Sequence, residues 1–586
     1  MGFRFLFIVM FSLFSVGTYA ETFTVNVSSD ENSPGDAQIS LREAIALANA
    51  SAGSDTIVFD SALTKATIAT SGYNIANDVI IDGSGAAGLK VQVTGAGKLL
   101  EVASGATLEL SNLALTSVEA GYFGPYAVLN CGTLDVSEVS FSGFSVALGL
   151  CSDGSQSSLD NVVFENNSYS LNISLPKSDA ASASSSVMVS SSYFKNSPIL
   201  AKSYGQPLSL DIDASLLADS SHINLVGAVE MNFTNSSVVD GSGQVLATSF
   251  LRDRPDSYTP YTYAYPKATI ASATITRNRG YRLMTLHGAE VTMMDTTIHG
   301  NSYNSSSGPT HLISSSRGYD EDADSYHGFL TISNSIISDN GPDTMDLLLA
   351  NAVLNVSYSV LPALSGSGGA NTQVSLDSTT QLYQGASVEM GDLTFSELYP
   401  PYLMPLPSSF VIGAGDASSV AGSSGVPLTD QRGSARVLDG AIDLGAIEYN
   451  RPPELDIVAL REAFRDEVAA LIAAETPDED IVLDLDFFAV DADMDVVLDI
   501  RLLNLDGYAY DAGTHQLSAS RDVFESQAIR VDVEDEHGLI NRQQLYIKPP
   551  KASAASGSSG GSVAFLGLTT VSLLSLRRRR KAQQAS

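Results

Sequence analysis

The chain has 586 residues, of which 66 are acidic and 31 basic, so its formal net charge is −35 at pH 7. This charge argues against a nucleic-acid-binding protein and against binding to an anionic membrane surface, because both partners would repel the chain. The length exceeds one ordinary globular domain, although a repeat fold can use several hundred residues. The acidity suits either solubility outside a cell or the binding of divalent cations.

The first 20 residues have the pattern of a secretory signal peptide. Arg4 supplies a positive charge, Phe5–Val16 form a short apolar core, and Thr18–Ala20 form a cleavage site. The apolar run is shorter than the roughly 20 residues that a membrane-spanning helix needs. We therefore predict processing after Ala20 and export of residues that follow.

A short sequence motif recurs between about residues 99 and 360. It consists of alternating apolar residues, then small polar residues, then a closing apolar residue. The closing residues lie 26, 23, 30, 81, 23, 39 and 23 positions apart. The step of 81 predicts at least one irregular coil, near Met231–Val238. The closing residues are Leu115, Phe141, Phe164, Phe194, Ile275, Ile298, Ile337 and Val360.

A strand-and-turn repeat of this length predicts a solenoid, because stacked coils bury apolar faces that single coils cannot bury. Small polar residues such as Ser111, Ser137, Asn161 and Ser333 suit the bend between strands. The pattern resembles the right-handed parallel β-helix of pectate-lyase-like and autotransporter-like surface proteins. An array of β-sandwiches is the alternative fold.

The two cysteines, Cys131 and Cys151, each end a similar apolar segment, and they lie 20 residues apart. Equivalent positions on neighbouring coils would lie about 4.8 Å apart, which is within disulfide reach. An exported protein permits this bond, and two buried thiols are the alternative. Two cysteines cannot form a zinc site.

The segment after the signal peptide contains an alternating strand, Thr22–Val27, and a helical pattern over Ile39–Asn49 with one apolar face. It resembles the C-S-L-R-E-A segment at the start of many bacterial β-helix surface proteins, with Ile39 at the position of the usual Cys. The resemblance implies a helix that caps the first coil. Arg42 and Glu43 are therefore interpreted as residues that hold this cap, not as catalytic groups.

Three insertions interrupt the coils. Leu175–Ser186 is of low complexity, and a second insertion places four tyrosines beside Arg252 and Arg254. These tyrosines predict an adhesive or sugar-stacking loop, or else an ordered loop packed on the flank of the solenoid. The third insertion, Asn301–His327, holds an acidic run that is either a calcium ligand set or a solvated loop. The four tyrosines are Tyr258, Tyr261, Tyr263 and Tyr265.

A segment with several charged residues follows the coils, between about residues 395 and 450. Its end, Asp439–Glu448, resembles the closing phrase D-I-G-A-x-E of bacterial β-helix proteins with a choice-of-anchor architecture, with Leu444 in place of Ile. The charged residues could suggest catalysis, but we interpret them as a buried ion network that fixes the last coil. They are Asp430, Arg432, Arg436, Asp443 and Glu448.

Arg451–Pro453 marks a linker, after which a helical patch covers Ile457–Ala474. The remainder, to about residue 548, resembles a small cadherin-like or Ig-like β-sandwich module. Such modules hold calcium with aspartates, although Met494 stands where their D-x-D-G-D pattern has Gly. The resemblance makes calcium the possible cofactor and implies the candidate ligands Asp491, Asp493, Asp495, Asp532 and Asp535.

Residues 549–586 combine a Gly/Ser linker, the apolar run Val563–Leu576 and the basic cluster Arg577–Lys581. This tail resembles the GlyGly-type sorting signal of Gram-negative bacteria, with Gly560 and Gly561 at the matching positions. The resemblance implies cleavage by a rhomboid-like membrane protease and passage to the cell surface by type II secretion. A simple inner-membrane anchor is the alternative.

The sequence therefore predicts an all-β chain: a signal peptide over 1–20, a cap and first coils over 21–98, a right-handed parallel β-helix over 99–450, the module over 451–548 and the tail. We favour a non-catalytic adhesin or glycan-binding surface protein. The alternative is a β-helix polysaccharide lyase or glycoside hydrolase. Its basic candidates would be Arg277, Arg279, Arg282, His287 and His299, and the spacing of the two histidines would allow them to share a face.

Overall fold

The structure is a computed structural model. It describes residues 20–547 except 32, 34, 36, 119–123, 152–153, 176–183, 254–261, 281, 304–310, 317–327, 342–345, 351, 363, 365–371, 417–427, 438–440, 492–496, 504 and 536–537. Most of this chain forms a parallel β-solenoid of about 11 coils. Each coil contributes strands to three sheets, and each strand pairs in register with its counterpart on the next coil. The predicted parallel β-helix is confirmed.

The strands fall into three long parallel sheets and several short ones. Four strands bend and continue from one sheet into the next: β19 (Ile199–Asp213), β21 (Ile223–Thr234), β26 (Lys267–Thr276) and β29 (Glu290–His299). Sheet 1 contains β4 (Tyr73–Ile75), β7 (Lys98–Val102), β10 (Tyr126–Asn130), β13 (Val146–Leu150), β16 (Tyr169–Leu175), the first parts of β19 (Ile199–Asp213) and β21 (Ile223–Thr234), β23 (Leu246–Ser249), β28 (Met284–His287), β31 (His311–Ser316) and β34 (Asp346–Ala350).

Sheet 2 contains β1 (Thr22–Val25), β2 (Asp55–Phe59), β5 (Val79–Asp82), β8 (Thr107–Ser111), β11 (Thr133–Ser137), β14 (Gln156–Asp160), β17 (Ser185–Ser190), the second parts of β19 and β21, the first parts of β26 (Lys267–Thr276) and β29 (Glu290–His299), β32 (Gly328–Ser333), β35 (Ala352–Ser357) and β36 (Gln373–Leu376). Sheet 3 contains β3 (Thr67–Thr70), β6 (Lys90–Val93), β9 (Ala114–Ser117), β12 (Ser140–Ser142), β15 (Val163–Glu165), β18 (Tyr193–Lys195), β20 (Leu216–Ala218), β22 (Ser237–Val239), the second parts of β26 and β29, and β33 (Ile336–Ser338). The short pairs are β24 (Leu251–Asp253) with β25 (Thr262–Ala264) and β27 (Arg279–Gly280) with β30 (Ser302–Tyr303).

The closing apolar residues of the repeat form one inward row on sheet 3. Phe141, Phe164 and Phe194 are in register and fully buried, with ring centroids 5.2 and 4.8 Å apart. The row continues through Leu217 and Val238 to Ile275. The step of 81 therefore contains two further coils, which close at Leu217 and Val238, where the sequence predicted at least one.

From β8 onward, ten successive coils each have one residue in a left-handed conformation at the bend between sheets 2 and 3. Asn161 has φ 56°, and Ser111, Ser137 and Ser333 each immediately precede such a residue. Asn and other short polar residues tolerate this conformation because their side chains can bond the backbone locally. The predicted bend is therefore confirmed. The left-handed residues are Asn112, Glu138, Asn161, Ser191, Ala214, Asn235, Ser272, Asp295, Asn334 and Tyr358.

Helix α1 (Leu41–Ala50) packs its apolar face, including Leu41 and Ile45, into the same core as the first strands. Its amino terminus has a capping box in which Ser40 and Glu43 bond each other's backbone N–H groups. Arg42 forms an ion pair with Asp30 and donates to the carbonyl of Gly72. Arg42 and Glu43 are thus used to hold the helix in place.

Cys131 and Cys151 form a disulfide between neighbouring coils, with their Cα atoms 5.1 Å apart. They follow β10 and β13, whose last residues, Asn130 and Leu150, are paired in register. The predicted disulfide is confirmed. It joins two coils near the amino-terminal third of the solenoid.

After β36 the chain forms helix α2 (Ser378–Tyr383) and then a segment, residues 398–450, that we call the closing segment. The closing segment lies on the outer side of sheet 3. The Gln431 side chain bonds Ser237 and Thr274 there, and the amide of Ala446 donates to the Thr297 hydroxyl at 2.9 Å. It approaches so closely at Gly445 that a Cβ atom would lie 2.5 Å from the Thr297 hydroxyl oxygen.

The carboxy-terminal module has its own hydrophobic core. It contains two three-stranded antiparallel sheets and helix α3 (Ile457–Ala473), which agrees with the predicted helical patch and buries Leu460 and Phe464. Its elements are β37 (Glu454–Leu455), β38 (Ile481–Asp484), β39 (Ala489–Val490), β40 (Val497–Leu502), β41 (Ala509–Asp511), β42 (Gln516–Ala519), α4 (Arg521–Ser526), β43 (Ile529–Asp535) and β44 (Ile540–Leu545).

Candidate functional site

The tyrosine-rich insertion begins and ends in an antiparallel hairpin, β24–β25, on the flank of sheet 1. Tyr263 lies in β25, where its backbone pairs with Arg252, whereas Tyr258 and Tyr261 lie outside the described residues. Tyr265 follows the hairpin, and its ring centroid lies 6.3 Å from that of Phe250. The insertion therefore emerges from the solenoid next to a second aromatic side chain.

Phe250 also stacks on His287, with 6.0 Å between ring centroids. We call Phe250, Tyr265 and His287 the aromatic cluster; all three side chains are half-buried. Phe250 directly precedes β24, and His287 ends β28 on the next coil of sheet 1. Sequence reasoning missed the cluster, because its members come from two coils separated by an insertion.

Sheet 1 presents small, mostly uncharged side chains beside the aromatic cluster. Asn224, Ala247 and Thr285, which are half-buried, stack in register on successive coils, and the buried Ser314 follows them. Amide and hydroxyl groups can donate and accept hydrogen bonds, and a flat sheet holds them at the regular spacing of the coils. The strip and the cluster together form a platform with few charged groups and with aromatic rings at its edge.

A further aromatic side chain lies just after the part of β19 that belongs to sheet 1. Tyr204 is 38% exposed, and the Lys202 ammonium lies 4.4 Å from the centroid of its ring. Lys202, Val226 and Ser249 stack in register toward the aromatic cluster. The platform is therefore several coils long.

The basic catalytic candidates do not converge on one site. Arg277 is engaged with Asp240 at 2.9 Å, and Arg279 is exposed in β27. The expectation that His287 and His299 share a face is wrong: His287 pairs with Ser316 on sheet 1, whereas His299 pairs with Ser338 on sheet 3. Between them the chain crosses sheet 2 and bends into sheet 3, which a linear spacing does not reveal.

His299 nevertheless has polar neighbours beside a cavity. Its Nδ1 lies 3.2 Å from the Ser338 hydroxyl and 3.7 Å from the Asp339 carboxylate. Burial lowers the pKa of His299, although Asp339 opposes that shift. Ser338, Asp339 and Ser387 line an adjacent cavity of about 250 Å³.

The charged residues of the closing segment form a buried network. Arg432 donates to Asp430 at 2.9 Å and to the carbonyls of Glu448 and Asn450 at 2.6 Å. Arg436 donates to Asp295 at 2.7 Å, and its Nε lies 3.1 Å from Glu448. Both arginines are at most 1% exposed, so a substrate cannot reach them. The geometry agrees with the predicted ion network and adds Asp295, which comes from a solenoid bend.

Two guanidinium groups in this network face four buried carboxyl groups, those of Asp295, Asp430, Asp443 and Glu448. Burial raises the pKa of Glu448 to about 9, because the nearby Arg436 only partly offsets the loss of hydration. Burial also raises the pKa of Asp295 and Asp443. The network therefore retains a proton on Glu448 at neutral pH.

This proton makes the stability of the closing segment sensitive to alkali. Between about pH 4.5 and 9 the folded chain keeps a proton on Glu448 that the unfolded chain releases, so the free energy of unfolding falls as the pH rises. We expect Glu448→Gln to flatten this dependence, since Gln is neutral at every pH. Denaturant unfolding of both proteins from pH 6 to 10 measures it, and equal slopes would contradict it.

The proposed calcium ligands of the carboxy-terminal module do not meet at one point in the described chain. Asp532 forms a two-pronged ion pair with Arg542, at 2.7 and 2.8 Å. Asp535 accepts from the amide of Leu539 and from the side chain of Asn450. Asp491 is half-buried, and Asp493 and Asp495 lie outside the described residues. Within residues that the structure describes, no group of three His, Cys, Asp or Glu side chains could hold a metal ion.

A cleft of about 540 Å³ lies where the closing segment meets the carboxy-terminal module. Tyr402, Tyr449, Arg451, Glu454 and Asn541 are among its lining residues. Tyr402 is fixed by Arg432, whose guanidinium lies 5.3 Å from the centroid of its ring. The cleft offers aromatic and polar groups, but the sequence patterns pointed to none of them as ligand contacts.

The predicted processing sites lie at the margins of the described chain. Ala20 is exposed and lies two residues before β1, with Glu21 between them. Gly560 and Gly561 lie outside the described residues, as does the apolar run of the tail. Among described residues, no helix has the length and apolar character needed to cross a bilayer.

These features define a parallel β-solenoid protein with a closing segment on its flank. No protein-family model matches the chain, and no curated protein matches it. Among solved structures, the crystal structure of the Agl-KA catalytic domain is similar over 60% of this chain and 68% of that chain, with 13% identity and a TM-score of 0.29. A similarity of this size carries no argument about activity.

Proposed function

We propose that this chain is an exported surface protein that binds glycans on sheet 1 of its solenoid without cleaving them. The observation that carries the proposal is the aromatic cluster of Phe250, Tyr265 and His287 at the edge of an uncharged polar strip. Aromatic rings offer apolar faces to sugar C–H groups, and hydroxyl and amide groups bond sugar hydroxyls. The strip suits a neutral or weakly charged glycan.

Export and anchoring belong to the same proposal. The leader would be cut after Ala20, and the tail would be cut by a rhomboid-like protease near Gly560 and Gly561 after delivery by type II secretion. The disulfide supports an oxidising destination, because such bonds persist outside the cytosol.

The finer assignments of domains are also proposals. We propose that α1 caps the solenoid, which is supported by its apolar face in the core of the first coils. We propose that the carboxy-terminal module is a divergent member of the cadherin-like and Ig-like group, supported by its two antiparallel sheets around one core. Calcium binding by Asp491, Asp493 and Asp495 with neighbouring acidic residues would accompany that assignment.

We expect Tyr265→Ala to weaken glycan binding about fivefold, because one well-placed aromatic contact contributes on the order of 1 kcal/mol. A glycan array finds the ligand, and titration of the wild type and variant measures the loss. Tyr546→Ala is the matched control, since Tyr546 is 38% exposed and belongs to the carboxy-terminal module, not to the solenoid. Equal loss in both variants, or no binding by the wild type, would contradict the proposed site.

A polysaccharide lyase or glycoside hydrolase is the second candidate, favoured by His299 and Asp339 beside the cavity on sheet 3. A depolymerisation assay run on the same glycans distinguishes the two functions. New unsaturated or reducing ends that disappear in His299→Gln would establish the enzyme. Binding without new ends would support the adhesin.

A further inference from the structure

The first coil contains a carboxylate at a position of the hydrophobic core. Asp55 begins β2, and its register partners on the following coils are Val79 and then Leu108, which are both buried. Asp55 itself is 0% exposed. An aspartate thus stands in an inward row where the next coils have aliphatic side chains.

This carboxylate has few partners. One oxygen, Oδ1, accepts a hydrogen bond from the backbone nitrogen of Glu21 at 2.7 Å. The other oxygen, Oδ2, is buried and accepts no hydrogen bond from any residue that the structure describes. A buried carboxylate with a single neutral donor is costly, because it loses its hydration without a compensating cation.

Glu21 is the residue that would become the amino terminus if the leader were cut after Ala20. Strand β1 begins one residue later, and the amide of Thr56 donates to the Glu21 carbonyl at 2.8 Å, which fixes the position of this residue. The Ala20 residue before it is exposed, so the peptide bond between them lies at the surface.

We propose that hydrolysis of the Ala20–Glu21 bond creates the missing cation, and that the new α-ammonium of Glu21 pairs with Asp55. Water adds across the peptide bond, the leader departs with the Ala20 carboxylate, and the released amine takes up a proton. The proposal rests on the export part of the proposed function. Maturation would then complete the first coil.

The geometry requires no rearrangement of the backbone for this pairing. The Glu21 nitrogen already lies at bonding distance from Oδ1, and its change from an amide to an ammonium replaces one donor with three. A hydrogen bond from a charged donor to a carboxylate is roughly twice as strong as a neutral one. The mature chain should therefore hold β1 against β2 more tightly than the precursor does.

Four proteins test the pairing: full chains that begin at Glu21 or at Ala20, each with Asp55 or with Asp55→Asn. Removal of a cleavable tag gives the exact termini. We expect backbone amides of Thr22–Val25 to exchange about tenfold more slowly in the Glu21 chain than in the Ala20 chain, from the strength of a charge-assisted bond. In the Asp55→Asn pair, we expect this difference to vanish.

A chain with an acetylated Glu21 keeps the N–H group but lacks the charge, and it is expected to behave like the Ala20 chain. This third terminus keeps the test decisive if Asp55→Asn folds poorly. Equal exchange in the free and acetylated Glu21 chains would overturn the ion pair.

Sequencing the amino terminus of the exported protein separates this inference from the export proposal. A mature terminus at Glu21 supports both, and a terminus elsewhere would overturn the processing step even if the protein is exported. The protein could fail to be exported while the purified chain that begins at Glu21 still shows slower amide exchange than the Ala20 chain. This result would contradict the surface function and support the pairing.

Discussion

Replacing Arg436 with Met is expected to lower the free energy of unfolding by about 3–5 kcal/mol, because the change leaves the buried carboxyl group of Asp295 without its cation. Arg436 is 0% exposed and lies 2.7 Å from Asp295 and 3.1 Å from Glu448. Asp295 belongs to the solenoid and Glu448 to the closing segment. The loss should therefore loosen the attachment of that segment, and denaturant unfolding followed by circular dichroism measures it.

Arg277→Met is the matched control for this prediction. The Arg277 side chain is 50% exposed and its partner Asp240 is 39% exposed, so water can replace the ion pair. We expect a loss of about 0–1 kcal/mol from this variant. An Arg436 variant that loses no more stability than the Arg277 variant would show that the buried network does not hold the closing segment.

Phe164→Ala is expected to cost about 3–5 kcal/mol, as large-to-small substitutions of buried aromatic residues usually do. The Phe164 ring lies between those of Phe141 and Phe194, at centroid distances of 5.2 and 4.8 Å. Its removal opens a cavity and breaks both stacking contacts at once. Thermal and denaturant unfolding of the variant measure the loss.

Met188→Ala provides the comparison, since Met188 lies in the neighbouring coil but is 54% exposed on the outside of sheet 2. Its loss is expected to stay within about 0.5 kcal/mol, as for most surface substitutions. If the two variants were equally stable, the inward phenylalanine row would not be a main source of stability in the solenoid.

The repeat predicted the solenoid well because one physical rule controls it. Each coil needs an inward apolar residue on sheet 3. In the sequence this residue follows the small polar residues of the bend, as at Phe141 and Phe164. The bend itself is recognisable because Asn161 and its equivalents need a left-handed backbone. The disulfide was predictable for a related reason, since in-register coils bring residues with matching positions together.

The site was less predictable because its contacts cross between coils of different length. Phe250 meets His287 only after the chain has passed through the hairpin and another coil. Asp295 looks like one more bend residue, and its charge acquires a role only when the closing segment brings Arg436 to it. His287 and His299 are near in sequence but on different sheets, because the coil turns between them.

The position of the closing segment has a consequence for how the solenoid comes apart. A stack in which each coil contacts only its neighbours can lose coils one at a time from an end. The closing segment contacts β22, β26, β29 and β33 through Ser237, Thr274, Thr297 and Ile336. These coils should therefore open as a single cooperative unit, while coils nearer the amino terminus can fray separately.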